Sequence, residues 1–375
     1  MAADIPEYDD LVIGSSPLML LQANFLASQG QKVCVVDRMS VQGGLWSPVE
    51  LKDGDVTDRA VHILENYAGV YECLESLTGC EFVALDEPPV RLLGNGWVIP
   101  YDNRLIRSAT RLYLTLGWLR ASLKVAAGNQ ASKESQINFQ SKLADHFRIR
   151  VFQRNSEIKG PRQGYAVLIS RIVERLETLG VCFATSDIAA VSFAENGKWL
   201  VEGSQMFKAL TSRVHCTTTS NLRSVSPGRI ESIKISPAER FAFIVEIPKS
   251  RIKRPRSYVA LWKHPSISRI NRLTVDSLND HERYIVEIHG QPSDFAGNLS
   301  EAIGDSLIRS SIVRSKSDFH LVSEVSCRYL RYVDQWKDEE VATGFITYKS
   351  SGNLAAAISR WLELEDRGSL LERHS

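Results

Sequence analysis

Cysteine is sparse, and its spacing has no chemical pattern: Cys34, Cys73, Cys80, Cys182, Cys216 and Cys327 are the six in 375 residues. No CxxC pair and no Cys/His cluster at ligand spacing occurs, which argues against a zinc site and against a disulfide scaffold. The six read mostly as small buried side chains kept reduced. An excess of either charge is also missing: Lys and Arg number 45 and Asp and Glu 44, for a formal net charge of +1. Whole-molecule attraction to nucleic acid or an anionic membrane scales with the basic side chains set against phosphates, so near-neutrality weighs against both and leaves room only for a local patch. No stretch reaches the roughly 18 uninterrupted apolar residues of a membrane-crossing helix. The first ten residues are acidic and run straight into an apolar strand, whereas a secretory signal opens basic and continues apolar for longer. The expectation is a cytoplasmic protein that acts on a small molecule, with no nucleic acid partner and no integral membrane segment. Its oligomeric state is not legible.

Also absent are a Ser/His/Asp order, an HExxH, a phosphate-binding Walker loop and a carboxylate pair at meaningful spacing. What is present begins at Leu11. Leu11, Val12 and Ile13 form a short apolar strand, followed by Gly14, Ser15, Ser16 and Pro17 and then a largely apolar run to Gly30. Val33 to Val36 form a second apolar strand that ends at Asp37. Neither strand alternates, as expected of a parallel sheet covered on both faces, and the connection fits a right-handed βαβ unit. Ser15 or Ser16 is the candidate N-cap and Pro17 stands at the first helical position, where its missing N–H costs nothing. The helix N-terminus would aim free N–H groups and a positive dipole end beyond the sheet, where a pyrophosphate is the usual occupant.

Asp37, 23 residues after Gly14, stands near the spacing at which an acid accepts hydrogen bonds from an adenosine ribose. Gly43, Gly44, Leu45 and Trp46 then give a second glycine turn. The expected G-x-G-x-x-G survives only at Gly14; Ser16 and Met19 replace the other glycines. Ser16 adds a hydroxyl where backbone should approach phosphate, and Met19 must fit between helix and strand. An empty Rossmann-like unit is the other reading of this fragment.

The order of these features resembles the FAD-binding start of the amine oxidase, protoporphyrinogen oxidase and UDP-galactopyranose mutase superfamily, in a divergent Gly-Ser-Ser-Pro form similar to members linked to polysaccharide biosynthesis. Four later stretches resemble the same template. Asp58-Arg59-Ala60-Val61-His62 is similar to the family's D-x-G-x-H strand, with Ala60 at the glycine. Asn95 to Tyr101 resembles the hairpin that opens the substrate lobe. Gly164-Tyr165, the leucine-rich run after it and Gly180-Val181 resemble the helix and strand that return to the FAD lobe. Gly344-Phe345 and Gly352-Asn353-Leu354 resemble the closing FAD motif, with Phe345 where many relatives have arginine. The resemblance implies FAD as cofactor, held by Gly14, Ser15, Ser16, Pro17, Asp37, Arg38, Gly43, Gly44, Leu45, Trp46, Gly344, Gly352, Asn353 and Leu354. It implies no metal.

The middle reads differently. Arg104 to Arg150 is a helical insertion with a broad apolar face, either a wall of the substrate cavity or a simple cap. The basic run Arg251 to Arg256 reads as a solvated hairpin tip, with a diphosphate clamp as its functional alternative. Arg283 to His289 alternates as a half-buried antiparallel strand does. The fold expected is α/β: a Rossmann-like FAD-binding lobe with helices on both faces of a parallel sheet, plus an α+β substrate lobe with an antiparallel sheet and a helical insertion. Residues 1–95, 160–235 and 320–375 make the first lobe, and 96–159 and 236–319 the second. His62 is the candidate beside the flavin, since imidazole can relay a proton; a satisfied core histidine is its plain alternative. Tyr101, Arg328 and Tyr329 suit a polar sugar or phosphate, with Arg104 and Tyr332 behind them; an ordinary strand pair is their plain alternative. The resemblance, with these candidates, implies an FAD-dependent oxidoreductase acting by hydride transfer on a polar, sugar-derived substrate. A flavin-dependent sugar-nucleotide mutase and a flavin-free binding or assembly subunit are the alternatives.

Overall fold

The computed structural model describes residues 5–51, 54–60, 62–65, 69–93, 97–100, 104–133, 135–137, 139–140, 143, 158–194, 197–217, 224–226, 235–261, 267–273, 280–289, 299–332, 344–348, 354–355, 358–359 and 361–362. In chain order its strands begin with β1 (Glu7–Ile13), β2 (Val33–Asp37), β3 (Pro48–Glu50), β4 (Val56–Asp58), β5 (Phe82–Ala84), β6 (Val90–Leu92), β7 (Val98–Pro100), β8 (Lys159–Pro161) and β9 (Cys182–Thr185). They continue with β10 (Ile188–Phe193), β11 (Trp199–Gly203), β12 (Lys208–Thr217), β13 (Ser224–Ser226), β14 (Ile235–Pro248), β15 (Tyr258–Leu261), β16 (Ile267–Arg272), β17 (His281–His289), β18 (His320–Tyr332) and β19 (Phe345–Tyr348). The α-helices used below are α1 (Pro17–Ser28), α2 (Val70–Thr78), α3 (Arg104–Ala126), α4 (Tyr165–Thr178) and α5 (Leu299–Arg309).

The first sheet has a parallel heart. β1 lies between β2 and β12, β2 pairs with β9, and β12 pairs with β19, all parallel. The first half of β12 pairs instead with β11, antiparallel, and β10 and β13 extend that flap. The flap explains why Leu11–Ile13 of β1 and Val33–Val36 of β2 are apolar throughout. Val12, Val33 and Val35 face Leu18, Leu21 and Leu26 of α1 and Ile169, Ile172 and Leu176 of α4. Leu11, Ile13, Cys34 and Val36 face Val191, Trp199 and Val201 on the other side. With both faces dry there is no position for a polar residue, so the run is continuous. α1 is likewise buried on nearly every side, from Pro17 to Asn24.

The second sheet is mostly antiparallel, ordered β18-β14-β17-β16-β15-β6-β7. α5 covers one face through Ile303 and Leu307, packed on Phe243, Val245, Val286 and Ile288. The opposite face, with Ala242, Ile244, Tyr258, Ile285 and Val325, packs against Leu51 and Ile63 from the first lobe's segments. Two stretches that the sequence division assigns to the first lobe, Val90–Leu92 and His320–Tyr332, pair in this second sheet. Their apolar content alone carries no sheet address. The basic run is also not a hairpin tip: β15 pairs with β16 and β6, and β14 with β17 and β18. Arg251 and Arg254 are exposed, whereas Arg256 is 5% exposed. Arg283 and Glu287 of β17 are 2% and 1% exposed, so that strand is buried on both faces rather than half-buried.

Candidate active site

At the C-terminal end of β1 the chain turns through Gly14, whose φ of +93° suits glycine and whose N–H donates to Val36 O at 2.7 Å. Ser15 is buried and ties three segments together. Its N–H and hydroxyl both donate to Asp37 Oδ2, at 2.7 and 2.6 Å, while Asp37 Oδ1 accepts the Met39 N–H at 2.9 Å. Gly43 N–H donates to Ser15 O at 3.0 Å and to Ser15 Oγ at 3.1 Å. Gly43 has a φ of +110°, and a Cβ there would lie 2.7 Å from Ile169 Cγ2 and 2.9 Å from the Ser47 backbone. Only glycine lets this loop pass under α4. The neighbouring Gly44 brings the loop against Ser16 of the first turn.

Of the two candidate N-caps, Ser16 holds the position, yet its side chain makes no cap bond. Leu20 N–H is the first in α1 to bond back into the turn, on Ser16 O at 2.9 Å. The N–H groups of Leu18 and Met19 therefore have no intrahelical acceptor, and the Ser16 hydroxyl stands with them at the positive end of the dipole. Space above Gly14 is open, with nothing within 4 Å of where a Cβ would be. These donors fit a pyrophosphate. Asp37 fits a ribose less freely: a carboxylate offers about four lone-pair sites, and three donors already occupy this one.

Beyond the second loop lies an aromatic cluster. Trp46 stacks on His62 with ring centres 3.9 Å apart and planes 14° apart, and Tyr165 meets Trp46 edge-on at 4.8 Å and His62 at 5.8 Å. His62 is 8% exposed. Tyr165 opens α4, and its hydroxyl accepts the Leu64 N–H at 3.0 Å. Burial pushes its phenol well above the ordinary tyrosine value, with Tyr71, Asp58 and Tyr258 adding to the rise and the Leu64 bond opposing it. Asp58 lies below, its Oδ1 accepting the Ala166 N–H at 2.7 Å. Burial raises its carboxyl to about 6, although N–H groups of Ala166 and Tyr165 at the helix N-terminus pull it down.

The structure thus joins Gly14, Ser15, Ser16, Pro17, Asp37, Gly43, Gly44, Trp46 and His62 in one region. Arg38 follows Asp37 and is exposed. Leu45 lies in the second loop, its side chain outside the described residues. Leu354 packs against the α1 side of the core, and Trp361 Nε1 donates to Gln22 of α1, so the C-terminal segment closes over that helix. Gly344 N-terminal to β19 meets β12, its carbonyl accepting the Val214 N–H at 2.8 Å. Tyr101, Gly352 and Asn353 lie outside the described residues. Arg328 and Tyr329 occupy β18 opposite Glu239 and Ala238 of β14, with their side chains, like those of Arg104 and Tyr332, outside the description. Sequence reasoning passed over Tyr165 and Asp58 as site residues because each acts on a partner about 100 residues away. It also passed over Arg283 of β17, which bonds Glu246 of β14 and Asp55 from far earlier in the chain.

No protein-family model matches the chain, and no curated protein matches it in sequence. Solved structures do match it in fold. Wild-type putrescine oxidase bound to putrescine aligns with a TM-score of 0.62 at 10% identity, over 98% of this chain and 99% of that one. Reduced UDP-galactopyranose mutase aligns at 0.56 and 14% identity, over 86% and 83% of the two chains. The chain has the amine oxidase and mutase fold. An oxidoreductase from Methanosarcina mazei shares it, with a TM-score of 0.58 and 14% identity over 95% of this chain and all (100%) of that one. Such identities carry the fold alone. Within this amine oxidase fold three of the four motif departures, at Met19, Ala60 and Phe345, have structural explanations. Met19 is fully buried in the core between α1 and the sheet, Ala60 is 4% exposed, and Phe345 packs on Trp199 at 5.4 Å in the core under the flap. Among the described residues no group of three or more His, Cys, Asp or Glu is placed to hold a metal ion.

Proposed function

We propose that the chain is an FAD-dependent oxidoreductase that oxidises a polar, sugar-derived small molecule by hydride transfer to the flavin. The observation that carries this reading is Ser15, which binds the α1 turn, Asp37 and the Gly43–Trp46 loop into one cradle beside the Trp46, His62 and Tyr165 cluster. In this reading the Leu18 and Met19 N–H groups and the Ser16 hydroxyl take the phosphates. The remaining acceptor site of Asp37 takes a ribose hydroxyl, and Arg38 flanks it. Gly14, Pro17, Gly44 and Leu45 shape the backbone around the cofactor, and the family resemblance assigns Gly344, Gly352, Asn353 and Leu354 to its flavin side. Bound FAD supplies the hydride acceptor.

The protein's own part is orientation and proton handling. The stack on Trp46 fixes the plane of His62, so an imidazole nitrogen can take the proton that a substrate hydroxyl releases. Tyr101, Arg328 and Tyr329 orient the polar substrate. The apolar face of the second sheet, packed on Ile63 next to His62, keeps water from that side.

The test begins with anaerobic mixing of the FAD-loaded protein with oxidisable sugar derivatives, where bleaching of the flavin marks substrate oxidation. Isomerisation that needs prior reduction would replace this reading with the mutase type. His62→Gln is expected to slow flavin reduction about 10²- to 10⁴-fold with FAD still bound; an unchanged rate removes His62 from the chemistry. The flavin-free binding subunit keeps one observation in its favour, the engagement of Asp37 by three donors. Protein that takes up no FAD is the result that selects it.

A further inference from the structure

α3 carries charge of one sign only. From Arg104 to Lys133 the chain holds Arg104, Arg107, Arg111, Arg120, Lys124 and Lys133 and no Asp or Glu, although the whole molecule has 45 basic and 44 acidic residues. The helix runs 23 residues, about 35 Å at 1.5 Å per residue. Its inward side is marked by Leu114 and Ala121, 8% and 5% exposed. At about 100° per residue, the opposite side is Leu112, Leu116, Leu119 and Leu123. These four leucines are 60%, 55%, 43% and 71% exposed, and Tyr113 beside them is 66% exposed. Arg111 borders the stripe on one side and Arg120 and Lys124 on the other, all exposed.

Among the described residues, the segment that folds back on α3 leaves the leucines bare. It meets the helix where Phe139 packs at Gly117 and where Gln136 Nε2 donates to Ser122 Oγ at 3.1 Å, off the stripe. A core helix would bury such leucines, and a solvated one would not line them up. Pairing with a second copy through the stripe would set basic flank against basic flank with no acid on α3 to offset it, a like-charge arrangement that opposes association. An anionic bilayer surface answers both features, because leucines enter the headgroup boundary while arginine and lysine meet lipid phosphates. No described helix is long and apolar enough to cross a membrane, and this pattern is that of a helix lying along one.

We propose that α3 is an interfacial anchor that binds anionic phospholipid membranes through Leu112, Leu116, Leu119 and Leu123, bordered by Arg111, Arg120 and Lys124. The test is flotation of the full-length protein with vesicles of phosphatidylcholine alone or mixed with phosphatidylglycerol. The protein is expected to float with the mixed vesicles, to lose binding as salt is raised, and to stay behind with phosphatidylcholine alone. Arg120→Gln/Lys124→Gln is expected to lower partitioning about thirtyfold. Leu116→Ser/Leu123→Ser, which alters only exposed side chains, is expected to abolish it with thermal unfolding unchanged. Met206→Asn, at a side chain 94% exposed elsewhere, should float as the parent does. Absence of flotation with any vesicle, or binding that neither double variant weakens, overturns the proposal. So does a dimer that the leucine variant dissociates in a protein that ignores vesicles, since the stripe would then belong to a protein contact.

Discussion

Asp58 places a carboxylate in a dry position at the N-terminus of α4, and that fixes a pH signature. Burial lifts its pKa to about 6, from an ordinary aspartate value of 3.8, despite the N–H bonds from Ala166 and Tyr165. The folded state therefore binds this proton more tightly than the unfolded state does, and stability must rise as pH falls from about 6 towards about 4. Two pKa units correspond to about 3 kcal/mol at full swing. Asp10 acts with the opposite sign. Burial alone would raise its pKa, but the hydrogen bonds from His215 and Arg213 and their charges hold it below the usual carboxylate range. Its contribution is present above the unfolded value and is lost as pH falls through the folded one, so the two carboxylates act in separate windows. Urea unfolding of Asp58→Asn is expected to lack the stability gain that the parent shows between about pH 6 and pH 4. A variant with the parent's pH slope contradicts this account of the residue.

At the scale of elements, the loop from Gly43 to Trp46 depends on one close approach. Gly43→Ala puts a Cβ into Ile169 and the Ser47 backbone at a left-handed φ, and is expected to cost about 2 to 4 kcal/mol from overpacking and backbone strain together. Equilibrium denaturation measures it; a change within about 0.5 kcal/mol, as at an ordinary surface site, contradicts the packing described. Elements with local signals were legible in the sequence. The end of β1 at Leu11–Ile13, α1 and β2 follow from apolar runs and from Pro17 at the first helical position, and β17 from its alternation. Their environments were not. Ser15 spends its N–H and hydroxyl on Asp37, and Arg283 is buried because Asp55 lies against it from 228 residues away. Pairings of that kind are set by the closure of two sheets, and no window of sequence contains both partners.

For the whole molecule, the sheet that positions the candidate site takes β1 and β2 from the start of the chain, β9 to β13 from its middle and β19 from near its end. Division between residues 187 and 188 separates β1 from β12 and strips α1 and α4 of part of the sheet they cover. Each half alone is expected to show no cooperative unfolding transition by circular dichroism; a half that melts cooperatively contradicts the discontinuous lobe. Near-neutral net charge also has a local meaning here. Phosphate recognition in the proposed cradle falls to the N-terminus of α1, and α3 carries a stretch of unbalanced basic charge. The central claim, that this cradle holds FAD, is tested most directly by the absorption spectrum of the purified protein after incubation with FAD and gel filtration. The account predicts the visible bands of equimolar bound flavin, lost in Asp37→Ala because the Ser15 turn is released. A correctly folded protein that emerges colourless would contradict it.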